Sequence, residues 1–257
     1  MDKNGNYSFL RILYSLISIL YLFLQNSKPV FIQTMLKLIK SNRLFFIPYL
    51  LVLFLGLFIL LEIPKLDIML WINHHTYSFL DPYFIFMTEI GDGLAFSLLA
   101  FVLIWFSYRK SIQAWLIFGL SSITAQFLKR LVFNHSLRPY AFFQEMGFDM
   151  KNIRILPGIQ ILMQNSFPSG HSITGFSLSL LICFWVRNKA YALACLVLGL
   201  SIAYSRMYLF EHFFWDCYAG SILGVILCTL SFYYLDKTQW PNAPWADKGL
   251  RDQFKKK

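Results

Sequence analysis

The chain is 257 residues long, 57% hydrophobic and 19% aromatic, with only 14% charged residues and a mean hydropathy of +0.54. A soluble domain of this size needs a charged surface, so this composition excludes one and points to a single integral membrane domain, an all-α polytopic helical bundle. The net charge of +10 does not signal nucleic acid, because the basic residues border apolar runs and form no long basic stripe.

In chain order, residues 7–24 (YSFLRILYSLISILYLFL) come first, with Ser8, Arg11, Ser15 and Ser18 at 3-and-4 spacing, the narrow polar stripe of a helix. Three readings fit them: an extra N-terminal span, an interfacial helix, or an extension upstream of a start at Met35. The following Gln25-Asn26-Ser27-Lys28 lacks the small residues of a cleavage site, so no removed signal peptide is expected.

Apolar runs then predict six core transmembrane helices at roughly 44–61, 94–108, 112–128, 171–186, 190–205 and 215–235. Several fall short of the roughly 20 residues that cross about 30 Å of hydrocarbon. Trp105, Trp115, Trp185 and Trp215 sit near the predicted ends, where an amphipathic ring is stable at the interface. The membrane domain covers 41–236, between an N-terminal segment 1–40 and a basic tail 237–257. Six crossings place fourteen Lys and Arg residues on the side of the tail and seven on the other, so the tail side is expected to be cytoplasmic and the other periplasmic or extracellular. A bacterial inner or plasma membrane fits; in an organelle the same side is luminal. The final Lys255–Lys257 either rest on anionic headgroups or are solvated. Cys183, Cys195, Cys217 and Cys228 stand singly in apolar segments and read as small buried hydrophobes.

Three polar clusters fall on the predicted outer side. The first, KRLVFNHSLRP at 129–139, offers Lys129, Arg130 and Arg138 at the end of the third span. Taken alone, such cations are interface anchors that snorkel to headgroups. The second, FPSGHS at 167–172, combines a Pro168/Gly170 turn with Ser169 as N-cap, so the next helix points free amides and His171 outward, an anion site. The third, SRMYLFEHFFWD at 205–216, lies between two of the most apolar runs. Arg or Asp at the centre of a span costs roughly 3 kcal/mol, which makes Arg206, His212 and Asp216 functional candidates. His212 and Asp216 are four apart, on one face of a helix that starts near 211, so the carboxylate can fix the imidazole tautomer and leave the other nitrogen as nucleophile or base. Glu211 has no such role and is expected to be solvated. Together the clusters describe a phosphate site: Arg forks and a Lys charge on the oxygens, helix amides completing the cradle, and two histidines for chemistry.

The ordered set Lys129/Arg130…Arg138-Pro139, Pro168-Ser169-Gly170-His171 and Ser205-Arg206-x5-His212-x3-Asp216 resembles the type 2 phosphatidic acid phosphatase superfamily, which includes lipid phosphate phosphatases, glucose-6-phosphatase and vanadium haloperoxidases. The resemblance covers roughly 90–235. The first motif departs from the family's Lys-x6-Arg-Pro, because Leu131 stands where lysine belongs; a two-residue insertion assigns the role to Lys129, with Arg130 as the alternative. The resemblance implies that His212, oriented by Asp216, attacks phosphorus and forms a phosphohistidine, that His171 protonates the leaving oxygen, and that water hydrolyses the intermediate. It places Lys129, Arg138, Arg206, Ser169 and the Gly170 amide on the equatorial oxygens. No metal or other cofactor is expected, since the cations replace it.

The expected function is therefore a membrane phosphatase acting on a lipid phosphate or pyrophosphate at the outer face, with prenyl pyrophosphate, phosphatidate, phosphatidylglycerophosphate and lipid A phosphate all open. A headgroup transferase of the same fold is the alternative, and a lipid or ion transporter ranks below both because the charge gathers at one face. The partners expected are the lipid phosphate substrate and membrane lipids, with no nucleic acid and no obligate protein partner. His74, His75 and His135 read as loop residues, and Glu89 and Asp92 as carboxylates suited to a helix N-terminus.

Overall fold

The computed structural model describes residues 29–237 apart from 187, together with 18, 243 and 245–254. The stretch 7–24, Ser18 excepted, and the terminal lysines 255–257 lie outside the described residues.

The described chain is helical. In order it forms α1 (Pro29–Ser41), α2 (Arg43–Glu62), α3 (Lys65–His74), α4 (Asp81–Gly91), α5 (Gly93–Phe106), α6 (Tyr108–Phe127), α7 (Pro139–Glu145), α8 (Gly170–Trp185), α9 (Ala192–Tyr208), α10 (Phe214–Lys237) and α11 (Leu250–Phe254). Among the described residues four helical stretches are long and apolar enough to cross a membrane: α2, α6 with its continuation to Val132, Lys189–Tyr208, and α10 as far as Leu235. The pair α4 and α5, bent by 60°, adds a fifth when taken as one span. Apolar residues on the outside of α2, among them Ile47, Leu50, Phe54 and Phe58, are exposed as a lipid-facing surface requires.

The sixth expected position holds α8, which has only 16 residues. Its side chains from Ser172 to Leu181 are all buried, and it packs against α10, α9 and α6. A helix sheathed by protein is not bound by the hydrocarbon thickness that sets the length of a lipid-facing one. Two glycines of α10 let it approach closely: a Cβ on Gly220 would stand 2.7 Å from the Ser169 carbonyl oxygen, and one on Gly224 2.5 Å from that of Ile173. The start of α10 and the start of α8 are thereby pressed together.

At the α4–α5 bend Asp92 accepts a hydrogen bond from the Gly93 amide at 2.7 Å, the N-cap role that suits its position. The Thr174 hydroxyl of α8 donates to the Gly91 carbonyl at 2.5 Å and pins the bend to the core. At the other end of α6, residues 245–254 fold back onto the α5–α6 junction. There Tyr108 and Arg109 donate their amides to the Lys248 and Ala246 carbonyls at 2.9 and 2.7 Å, and Arg109 holds Asp247 in a bidentate pair. All four cysteines are buried and free.

Candidate active site

The site is assembled at the end of the bundle where α6 leaves, α8 and α10 begin and α9 stops. The last turn of α6 widens into a π-helical segment, Leu128–Val132, closed by the Phe133 amide donating to the Leu128 carbonyl at 2.8 Å. A π turn inserts an extra residue into the helical phase, a feature common at functional sites. Lys129 is thereby half-buried beside α8, its ammonium 3.8 Å from where a Cβ on Gly170 would stand. Arg130, the alternative cation, is exposed and the structure does not bring it to the site.

Arg138 is held by backbone pairing. Its amide donates to the Met163 carbonyl at 2.8 Å, its Nε to the Gln164 carbonyl at 3.1 Å, and the Ser166 amide to the Ser136 carbonyl at 3.1 Å. Pro139 at the first turn of α7 keeps Arg138 extended and fixes where the helix starts. Only 6% of Arg138 is exposed.

Ser169 caps α8, its hydroxyl oxygen accepting from the Ser172 amide at 3.3 Å and from the Ser172 hydroxyl at 3.0 Å. Its amide donates to the Asp216 carbonyl at 3.1 Å, which joins the second cluster to the third. The side chain is fully buried, so here it serves as the cap. His171 is partly exposed, close enough for the charges of Arg206, Lys129 and Arg138 to bear on its ring.

The third cluster is shaped by the end of α9. The Glu211 amide donates to the Arg206 carbonyl at 2.9 Å and the Phe210 amide to the Met207 carbonyl at 3.0 Å, a Schellman ending. The left-handed position at its centre, which favours glycine, is filled by Phe210 at φ 60°. Phe210 is buried against Phe143 of α7, ring centroids 5.2 Å apart, so packing holds a conformation that its side chain disfavours. The reversal turns Glu211 and His212 back over the end of α9.

His212 and Asp216 meet as expected from their spacing. Nδ1 of His212 lies 3.4 Å from Oδ2 of Asp216, and the same oxygen accepts from the Phe213 amide at 2.9 Å and from the Ser166 hydroxyl at 2.5 Å. Both residues are at most 1% exposed. Burial, and then the positive charges of Arg138, Lys129 and Arg206, hold the His212 imidazole well below its ordinary pKa. The ring is therefore neutral at pH 7, with a lone pair to offer. Arg138 is pushed down chiefly by burial and pulled back up by Glu211 and Asp216.

Glu211 corrects the expectation of a solvated residue. Its carboxylate is 5% exposed, accepts a hydrogen bond from Nη1 of Arg138 and stands 3.5 Å from Nη2 of Arg206. Two buried cations face it, and each charge compensates the other's desolvation. Arg206 also donates through Nη1 to the Thr88 hydroxyl of α4, while its Nε, buried, has no hydrogen-bond partner.

Sequence reasoning missed four residues around this centre: Glu211, Thr88, Ser166 and Lys65. The ammonium of Lys65 lies 3.6 Å from the Phe142 ring centroid and 5.0 Å from that of Phe213, and burial lowers its pKa. Ser166 had a readable signal, two residues before the Pro168 turn; Thr88 and Lys65 had none, because they arrive from helices distant in sequence. Outside the centre, Arg154 grips Asp81 with two bonds at 3.0 and 2.6 Å, and Tyr208 donates to the same carboxylate at 2.6 Å, bracing the loop between α7 and α8 against α4 and α9. His74 and His75 end α3, His135 is exposed, and among the described residues no three His, Cys, Asp or Glu gather as metal ligands.

The sequence model of the PAP2 superfamily matches residues 110–240. The bacitracin transport permease protein BcrC of Bacillus licheniformis is 27% identical over 164 residues, covering 63% of this chain and 74% of that protein. The crystal structure of Aquifex aeolicus LpxE shares the fold, with a TM-score of 0.56 and 22% identity over 66% of this chain and 94% of that one. The matched segment holds all three clusters and more than half of the chain: this protein, an integral membrane helical bundle, belongs to the PAP2 superfamily.

Proposed function

We propose that the protein hydrolyses a lipid phosphate or pyrophosphate at the outer membrane face through a phosphohistidine on His212. The observation that carries this reading is the buried convergence of His212, Asp216, Arg138 and Arg206 at one end of the bundle, with Lys129 and His171 beside them. The neutral His212 attacks phosphorus with its Nε2 lone pair while Asp216 holds Nδ1–H and stabilises the charge that develops. The bond from phosphorus to the leaving oxygen breaks, and His171, at the free N-terminus of α8, gives that oxygen a proton that it takes up from water when the substrate's negative charge offsets the cations beside it. Water then attacks the phosphohistidine, and His171 takes the proton back. Arg138, Arg206 and Lys129, with the Gly170 amide, bind the equatorial oxygens, and such preorganised charge supplies the largest share of rate enhancement. Ser169 acts by fixing the amides of α8. The substrate's phosphate lies at headgroup depth, the position of a chain-anchored lipid.

The test is phosphate release by the purified, detergent-solubilised protein from prenyl pyrophosphate, phosphatidate, phosphatidylglycerophosphate and lipid A phosphate, with His212→Ala alongside and EDTA present. We expect release by the wild type alone, inhibition by vanadate, and an acid-labile, base-stable phosphoprotein after quenching. A wild type inert towards every lipid, or activity kept by His212→Ala, refutes the reading. Phosphate passed to an added alcohol with little free phosphate identifies the transferase instead.

A further inference from the structure

A buried pair of arginines aimed at one point is an anion site, and in this molecule the point is taken by the chain itself. The Glu211 carboxylate bonds Arg138 and sits 3.5 Å from Arg206. These are two of the three cations assigned above to the transferred phosphoryl group. The carboxylate does not saturate them, since Arg206 Nε remains without a hydrogen-bond partner. One planar carboxylate offers two oxygens; a phosphate offers three and a higher charge. The backbone of Glu211 is fixed by its bond to the Arg206 carbonyl, and the residue also lines a narrow recess beside Tyr140, Ile159 and Leu162.

We propose that Glu211 is a resident competitor for the phosphate cradle, which raises the anion concentration needed to fill it to a level that a membrane-held phosphate reaches and dilute free phosphate does not. This rests on the phosphatase reading above. Every anion must displace the carboxylate, which weakens binding of all of them by the same factor. A lipid recovers that factor because the membrane holds its phosphate at high local concentration beside the site. Inorganic phosphate has no anchor, so it is rejected from solution and leaves quickly once formed. With the cradle empty, the same carboxylate is the counterion in contact with both buried guanidinium groups.

The experiment measures binding of vanadate and of inorganic phosphate to the purified protein by calorimetry, together with phosphate release from the lipid panel, for wild type, Glu211→Gln, Glu211→Met and Glu211→Ala. Removing a charge-assisted competitor is expected to tighten both anions roughly ten- to a hundred-fold and to deepen product inhibition by phosphate. A carboxylate that merely aims the arginines predicts the reverse, weaker anion binding and a raised KM, and that result overturns the proposal, as does unchanged affinity. Any one variant that elutes as a folded monodisperse species decides the matter. Failure of all three to fold makes Glu211 a structural brace and overturns the proposal too. A wild type that releases phosphate and binds vanadate while the variants bind no tighter refutes the competitor alone; a wild type that does neither removes the phosphatase reading with it.

Discussion

The two ends of the bundle hold the same kind of ion pair in opposite settings. At the site end Arg138, Arg206 and Glu211 meet with side chains 7%, 9% and 6% exposed. At the far end Arg109 pairs with Asp247 at 2.7 Å, with side chains 20% and 72% exposed. An exposed pair gains little over its hydrated partners, about 0–1 kcal/mol. A buried group of charges is a poor way to add stability, and breaking it by removing one partner strands the rest. The far pair fastens a terminal segment; the near one concentrates positive charge where a phosphate can use it.

The largest effect expected in testing this contrast belongs to His212, the proposed nucleophile. His212→Ala should lower kcat by about 10⁴-fold or more with the fold intact, measured as lipid phosphate release alongside a melting curve. Asp216→Asn, which keeps the shape and removes the charge that fixes the tautomer, should cost on the order of 10²–10⁴-fold in kcat. Loss in melting temperature rather than in kcat for either variant would make these buried groups structural and erase the contrast.

Arg138→Ala and Arg109→Ala compare the two ends directly. The first leaves Glu211 buried against a single cation and should destabilise by about 3–5 kcal/mol. The second should cost less than about 1 kcal/mol, shrink further in high salt and leave phosphate release unchanged. Denaturation of both variants in detergent at two ionic strengths checks this, and equal losses would break the comparison.

The smallest effect is in pH. Burial, then Arg138, Lys129 and Arg206, depress the folded pKa of His212 below the unfolded value of about 6.5. As pH falls through about 6.5 the unfolded chain takes up a proton that the folded site refuses, so stability declines from there towards the folded pKa. The ring stays a competent nucleophile over the same window, so the acid limb of kcat assigned to His212 should lie below about 6.5. An acid limb at or above that value, with no loss of stability over the same window in the wild type relative to His212→Ala, would show the ring to be better solvated than the site end requires.

What was legible in the sequence follows from local physics. The spacing His212-x3-Asp216 requires only that a helix begin nearby, and the Pro168-Ser169-Gly170-His171 run carries its own cap and turn. The role of Lys129 against Arg130 was not legible, because a π turn changes the helical phase by one residue and leaves no mark in composition. Glu211 was misread for a related reason: beside a histidine at a membrane surface a carboxylate is ordinarily solvated, and only the left-handed Phe210 folds it onto two arginines.

The sequence by itself therefore determined the membrane bundle, the positions of its apolar helices and the residues able to do phosphate chemistry. These depend on hydrophobicity and short-range periodicity, which act over one helix at a time. Tertiary structure alone decided that α8 runs inside the protein, that Thr88, Ser166 and Lys65 reach the centre, and that Glu211 faces the cradle. Those outcomes depend on which surfaces are withdrawn from lipid and water together, and no single segment carries that information.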